Sequence, residues 1–316
     1  MKSNHRKIGI IGVGHVGSHC ALNIAMEGIA EEIIFIDKDI EKAASHAKDI
    51  KDAVMYMKHP VAINVGDYSD IDDADILVIS IGTSRKKGQT RLDMLDDAIV
   101  EMKDVTKAIK NSKFNGIIIT ISNPADIIAN YTYVHTGFPT HKVFGTGTSL
   151  DTARLKRTIS EVLEVDIRSI QCYSMGEHGN SSMIPFSNIT IGGKPLVDFV
   201  KSNPKYQDIS LDMILERTRE IGNEIIDGKG STEFGIGAVL ADICKAVLYD
   251  EKRIMPVSTF VQGEYGQSGF YVGVPAIVGA EGVESIVEIK LSEDEKKQFN
   301  ESCEIIKKYN IRAESI

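Results

Sequence analysis

The feature that most constrains this chain is a glycine run, Gly12-Val-Gly14-His-Val-Gly17, set between a short apolar stretch (8–11) and an amphipathic one (16–27). Glycines at these spacings suit a strand-to-helix connection. The first permits a tight turn, the second lets main chain approach a diphosphate, and the third lets the helix pack closely on the strand. The N-terminus of the helix then meets phosphate charge with its unpaired N–H groups. Alone, the pattern also describes an ordinary glycine-rich turn, so its context decides. A second apolar run (33–36) ends at Asp37, 20 residues beyond Gly17. A carboxylate there would accept hydrogen bonds from adenosine ribose hydroxyls and repel a 2′-phosphate. The competing role for Asp37 is a helix N-cap or turn residue, a task Asp39 could take instead. The expectation is a dinucleotide site, NAD rather than NADP, contacted by Gly12, Gly14, Val16, Gly17 and Asp37.

Apolar runs and amphipathic segments alternate through the first half, the pattern of βαβ units building a parallel sheet. Strands are expected at 8–11, 33–36, 63–65, 76–81 and 117–121, with helices at 16–27, 41–54 and 92–110. Strands this uniformly apolar suit a sheet covered by helices on both faces. The pattern changes from Asp151. A helix is expected to about Leu163, then a glycine-rich, strand-like region at 189–196 and helices at 209–227 and 238–248. Strand-like stretches follow around 263–269 and 286–289. A charged helix from Ser292 to Tyr309 closes the chain, with Ser292 and Glu295 spaced as a capping box. The fold class is therefore α/β, with an N-terminal Rossmann-type doubly wound parallel sheet (1–147) followed by an α+β substrate domain (148–316). The boundary is placed in Gly145-Thr-Gly147-Thr.

The 316 residues exceed what one compact core usually organises. At 42% hydrophobic and 26% charged, the composition is that of an ordinary globular chain. A net charge of −9 argues against a whole-surface nucleic-acid binder. The cysteines at 20, 172, 244 and 303 form no C-x-x-C pair, which gives no support to a zinc ribbon or redox motif and points to buried thiols. No metal is expected. The first residues do not resemble a signal peptide, and no apolar stretch approaches a membrane span, so the expected location is the cytoplasm.

Hydride chemistry on a hydroxyl/carbonyl pair needs a proton donor and acceptor, a group to orient it, and cations for an anionic substrate. His178, in Gly176-Glu-His-Gly179, is the one histidine of eight framed by glycines that would let a substrate reach it. Asp151 and Arg154 stand three apart, on one face of a helix, where a plain intrahelical ion pair is the alternative. Arg85-Lys-Lys-Gly-Gln-Thr-Arg91 packs four cations around a glycine just after a strand, the end at which α/β sheets bind ligands. A solvated basic loop would look the same.

Taken together, these motifs resemble the L-lactate/malate dehydrogenase family, including its L-2-hydroxyisocaproate dehydrogenases. The resemblance spans essentially the whole chain and includes Gly12-x-Gly-x-x-Gly17, Gly88-Gln-Thr-Arg91, Ser122-Asn-Pro124, Gly145-Thr-Gly-Thr-x-Leu-Asp-Thr-Ala-Arg154, Gly176-Glu-His-Gly179, Lys229-Gly-Ser-Thr232 and Pro256-Val-Ser-Thr259. It implies that His178 is the general acid/base and that Asp151 orients it. By the same likeness Arg154 grips the substrate carboxylate, Arg91 closes over the substrate and polarises its carbonyl, and Asn123 hydrogen-bonds the substrate oxygen beside the cofactor. A small 2-oxo or 2-hydroxy carboxylate would be the substrate, and a homodimer or homotetramer the assembly.

Arg85 matches the family position at which malate enzymes carry arginine and lactate enzymes glutamine. A second substrate carboxylate needs such a cation, so Arg85 favours malate/oxaloacetate. Thr232 and the Gly-Glu-His-Gly form also occur in lactate-like and hydroxyisocaproate-like members, so lactate stays open. The positions that bind fructose 1,6-bisphosphate in allosteric bacterial lactate dehydrogenases hold Lys156 and Gln171 here. Glutamine brings no charge, so no strong activation by that sugar phosphate is expected, and clear stimulation in an activity titration would refute this. Two further readings are a non-catalytic NAD sensor, which has no use for a positioned acid/base, and a nicotinamide-dependent glycosidase. The glycosidase would need a metal held by cysteine and histidine, but Cys172 is followed by Tyr173.

Overall fold

A computed structural model describes residues 5–82, 92–206 and 208–316. Arg85 and Arg91, with the rest of their loop, lie outside the described residues. In the first half the elements are β1 (Lys7–Ile11), α1 (His15–Glu27), β2 (Glu32–Ile36), α2 (Ile40–Val54), β3 (Ala62–Val65), β4 (Ile76–Ile79), α3 (Leu95–Asn111), β5 (Ile117–Thr120), α4 (Ala125–Thr136) and β6 (Val143–Gly145). All six strands are parallel, in the order β3-β2-β1-β4-β5-β6. The order reverses between β1 and β4, the topological switch point at which such sheets bind ligands beyond the strand ends.

The strands alternate their side chains between two cores. Ile8, Ile10, Ile33, Phe35, Ile76 and Val78 pack on one face with residues of α1 and α2. Ile11, Ile34, Ile36, Leu77 and Ile79 pack on the other with α3 and α4. A period of two with apolar residues at every position is what a strand buried on both faces requires.

The second half contains α5 (Ser149–Leu163), β7 (Ile170–Gln171), β8 (Thr190–Ile191), β9 (Lys194–Pro195), α6 (Leu196–Lys201), α7 (Leu211–Lys229), α8 (Phe234–Leu248), β10 (Arg253–Gln262), β11 (Ser268–Gly279), β12 (Gly282–Ile286) and α9 (Glu293–Ser315). Strands β10 to β12 extend the first sheet, β10 pairing antiparallel with β6 and each later strand antiparallel with the one before it, making one nine-stranded sheet in the order β12-β11-β10-β6-β5-β4-β1-β2-β3. A small sheet of β7, β8 and β9 packs with α5, α6 and α7 around a separate core.

Several segments depart from expectation. Residues 92–94 form a separate turn of 3-10 helix before α3 begins at Leu95. The segment 286–289 is not a strand, because β12 ends at Ile286. The longest pair of strands, β10 and β11, carries proline in both members. Pro256 stands opposite Pro275, and both carbonyls turn away from the partner strand, Pro256 to the Ser149 hydroxyl and Pro275 to the Val287 N–H, so the missing N–H groups fall on a rung that makes no hydrogen bond between β10 and β11. Helix α4 was not anticipated, since nine of its twelve residues are buried and it shows no polar face. The capping box at Ser292 and Glu295 is present. All four cysteines are buried free thiols, and burial pushes the Cys20 thiol up to about 12.

Candidate active site

Beyond the carboxyl ends of β5 and β6 lies a cleft of about 150 Å³, lined by Val16, Asn123, Arg154, His178 and Thr232 among others. The glycine loop forms one edge. Gly12 adopts φ +87°, and a Cβ there would lie 2.4 Å from the Ser80 carbonyl oxygen. At Gly17 a Cβ would lie 2.1 Å from the Gly12 carbonyl oxygen, so helix and strand approach this closely only without side chains. Gly14 is different. A Cβ there would meet nothing nearer than Lys42 Nζ at 4.0 Å, and Gly14 caps α1 with no side-chain hydrogen bond. The start of α1 therefore presents open main chain and N–H groups, the arrangement a diphosphate uses.

Asp37, at the end of β2, is half-buried. One carboxylate oxygen accepts the Val13 N–H at 2.6 Å and the other the Asp39 N–H at 2.9 Å. It thus ties the glycine loop to β2 while keeping acceptor capacity for a ribose. The capping role belongs to Asp39, whose side chain accepts the Lys42 N–H at 3.0 Å. The open start of α1 and the acid at the tip of β2 fit a dinucleotide with an unphosphorylated ribose.

The opposite wall carries the titratable groups. Helix α5 presents Asp151 and Arg154 one turn apart, and they are joined by a bond of 3.3 Å from Arg154 Nη1 to Asp151 Oδ1. The other carboxylate oxygen lies 2.5 Å from His178 Nδ1. A carboxylate can only accept, so Nδ1 carries the proton and Nε2 is the atom available for proton exchange. The ion pair expected on one helix face is therefore present, but it is part of a chain that ends on the imidazole. Arg154 is buried, and α7 passes it at Gly222, where a Cβ would lie 3.2 Å from Nη1. Asn123, just before α4, leaves its buried side-chain oxygen without a hydrogen-bond partner among the described residues. Thr232, between α7 and α8, lines the cleft, and α8 lies close on α1 at Gly237, where a Cβ would be 2.6 Å from Asn23 Nδ2.

The glycines around His178 serve the fold more directly than they clear a path. Gly176 adopts φ +88°, and its Cβ would fall 2.5 Å from Ser302 Oγ, while at Gly179 a Cβ would fall 2.1 Å from Glu177 Oε1. Glu177 is buried. Its N–H donates to Ser302 Oγ at 2.8 Å, and its carboxylate accepts the Ser181 hydroxyl.

One residue escaped the sequence reading. Asp126, in the first turn of α4, is 1% exposed. It accepts the His178 main-chain N–H at 2.8 Å and the Ser258 hydroxyl at 2.5 Å. Burial raises its carboxyl to about 7 against the lowering effect of those two hydrogen bonds, and the negative charges of Glu177 and Asp151 raise it further. The available signal was a single acid in an otherwise apolar run, Ala125-Asp-Ile-Ile-Ala129, directly after Asn123-Pro124.

A dinucleotide cradle facing a carboxylate-oriented histidine and a buried arginine defines a nicotinamide-dependent oxidoreductase. The comparisons with known proteins give the family. Residues 6–145 match the description "lactate/malate dehydrogenase, NAD binding domain" and residues 148–314 match "lactate/malate dehydrogenase, alpha/beta C-terminal domain". The chain belongs to the lactate/malate dehydrogenase family. It is 42% identical over 305 residues to an L-lactate dehydrogenase of Fusobacterium nucleatum, covering 96% of each chain. It is also 42% identical over 310 residues to L-lactate dehydrogenase 3 of Bacillus cereus, covering 98% of each. Among solved structures it is similar to the ligand-bound minor L-lactate dehydrogenase of Enterococcus mundtii, with TM-score 0.94, 35% identity, and 98% of this chain and 99% of that one covered. Cryptosporidium parvum malate dehydrogenase superposes with TM-score 0.93 at 29% identity, covering 99% of this chain and 100% of the other. The protein is an NAD-dependent oxidoreductase acting on 2-hydroxy acids, and its cofactor is NAD.

Proposed function

We propose that the chain interconverts pyruvate and L-lactate. The observation that carries the reaction type is the connected set Arg154–Asp151–His178 on the wall facing the glycine loop. The substrate assignment is supported by the L-lactate dehydrogenases that match nearly end to end at 42% identity. NAD, held by Gly12, Gly14, Val16, Gly17, Asp37 and Asn123, supplies or accepts the hydride. The chain's own residues do the rest. Arg154 binds the substrate carboxylate through two of its guanidinium nitrogens, and this fixes the carbonyl against the imidazole. His178 Nε2 donates a proton to the carbonyl oxygen during reduction and removes it in the reverse direction. Asp151 holds the ring and favours the imidazolium that must exist before each reduction. Asn123 contributes a hydrogen bond from its side chain, Thr232 bounds the substrate side of the cleft, and Arg91 would supply the cation that polarises the carbonyl.

Arg85 supports a second reading, with oxaloacetate and malate as the pair, because a second carboxylate needs a cationic partner and Arg85 matches the family position at which malate enzymes carry arginine. NADH oxidation with pyruvate, oxaloacetate, 2-ketoisocaproate and phenylpyruvate, compared by kcat/KM, separates the two. Pyruvate is expected to rank first, and a tenfold advantage for oxaloacetate would transfer the assignment to malate. In either case Arg85→Gln is expected to lower the oxaloacetate-to-pyruvate ratio by about ten- to a hundredfold, the worth of one charge-assisted pair. An unchanged ratio would mean that Arg85 does not meet substrate.

The proposed assembly is a homodimer or homotetramer, supported by the exposed apolar side chains of Met55 and Tyr56 at the end of α2. The proposed location is the cytoplasm. Among the described residues, no helix is long and apolar enough to cross a membrane.

A further inference from the structure

We propose that Asp126 is a positioning residue of this reaction: its carboxylate fixes the main chain of His178, and its negative charge favours the protonated imidazole. The inference rests on the acid/base reading of His178. Asp151 alone would hold the ring but not the segment that carries it. The segment 176–179 is an irregular loop joined to β11 by one bridge, Gly176 to Gly273. At His178 the main-chain N–H has Asp126 as its acceptor, across 52 positions of sequence. The second carboxylate oxygen of Asp126 is fixed by Ser258 of β10. Asp126 thus ties three elements together at the acid/base: the start of α4, the loop and the sheet.

A buried acid is a costly tether when a neutral side chain could accept the same N–H. What an acid adds is charge. A negative charge near an imidazole stabilises its protonated form, and reduction of a 2-oxo acid consumes that form. Among the described residues, the titratable and charged groups facing the pair are Asp151 and Arg154 of α5, Glu177 of the same loop and Cys303 of α9. The two acids add to the effect of Asp126, and Arg154 opposes it. With its carboxyl raised to about 7, Asp126 exchanges a proton near neutrality, so the negative charge it sets beside the imidazole grows as pH rises through that value.

Asp126→Asn separates charge from geometry, because the amide oxygen can still accept the His178 N–H while its NH2 donates to the Ser258 oxygen. Two measurements follow the consequence. In protein labelled at histidine Cε1, the His178 resonance, assigned by its loss in His178→Gln, is expected to titrate at a lower midpoint, by about half a pH unit or more. The alkaline limb of the kcat profile for 2-oxo acid reduction is expected to move acidward by a similar interval, with the NADH dissociation constant unchanged. If Asp126→Asn is folded and both midpoints stay where they are, the proposal fails. Ser258→Ala is the second variant. Removing a donor from the carboxylate raises its protonation further, so a smaller shift in the same direction is expected, and no shift counts against the proposal. If the unmodified protein reduced no 2-oxo acid, the functional reading would fall, whereas the resonance titration would still report on the Asp126–His178 pair.

Discussion

Replacing His178 by glutamine is expected to lower the rate of 2-oxo acid reduction by about 10³-fold or more, the upper part of the range for a single positioned acid/base. Glutamine can donate a hydrogen bond to the carbonyl oxygen but cannot deliver a proton to it. NADH binding, followed by the cofactor's own fluorescence, is expected to persist, because the glycine loop and Asp37 belong to a different part of the chain from the loop that carries His178. The loss should fall on kcat in single-turnover experiments. A variant retaining a tenth of the activity would show that the proton comes from another group. Asp151→Asn is expected to follow in the same direction, since His178 Nδ1 would lose the charged acceptor now 2.5 Å away.

The second large effect is expected from Arg154→Lys, a decrease in kcat/KM of about 10³-fold. Two contributions add. Losing one of two charge-assisted hydrogen bonds to the substrate carboxylate costs about 1.5–3 kcal/mol, and the misalignment of carbonyl and imidazole that follows costs about another 10²-fold. The local packing leaves little room for repair. The guanidinium fills the space between α5 and Gly222 of α7, and it also bonds Asp151 at 3.3 Å. A lysine ammonium would meet one of these demands at a time. Steady-state kinetics over a range of pyruvate concentrations checks the prediction. A loss confined to KM would mean that Arg154 binds the carboxylate without orienting it.

The parallel half of the fold was legible because its strands are buried on both faces. Runs such as Ile8 to Ile11 and Ile33 to Ile36 are apolar throughout, and nothing else of that length, followed by an amphipathic helix, has this composition. The site was legible where chemistry forces residue choice. Gly12 and Gly17 stand where a side chain would strike a carbonyl oxygen, and Arg154 falls three residues after Asp151 on a helix face. The same logic failed at α4. A helix buried on most of its surface has no polar stripe, and its lone acid reads as a surface charge until the burial of Asp126 is seen. It also failed at β10 and β11, where Pro256 and Pro275 argue against strands until they are found opposite each other.

Residue type and short-range spacing by themselves determined the nucleotide-binding half, the family, and His178, Asp151 and Arg154 as candidates for the chemistry, because each depends on neighbours a few positions away. Only the tertiary structure decided that the second half adds its strands to the first half's sheet, that α7 and α8 close over Arg154 and α1, and that Asp126 reaches His178. Those contacts join residues from 52 to more than 100 positions apart, as between His178 and Asp126 or Ser258 and Asp126. No local pattern encodes such a pairing, because burial and hydrogen-bond partnership arise only once the elements have packed.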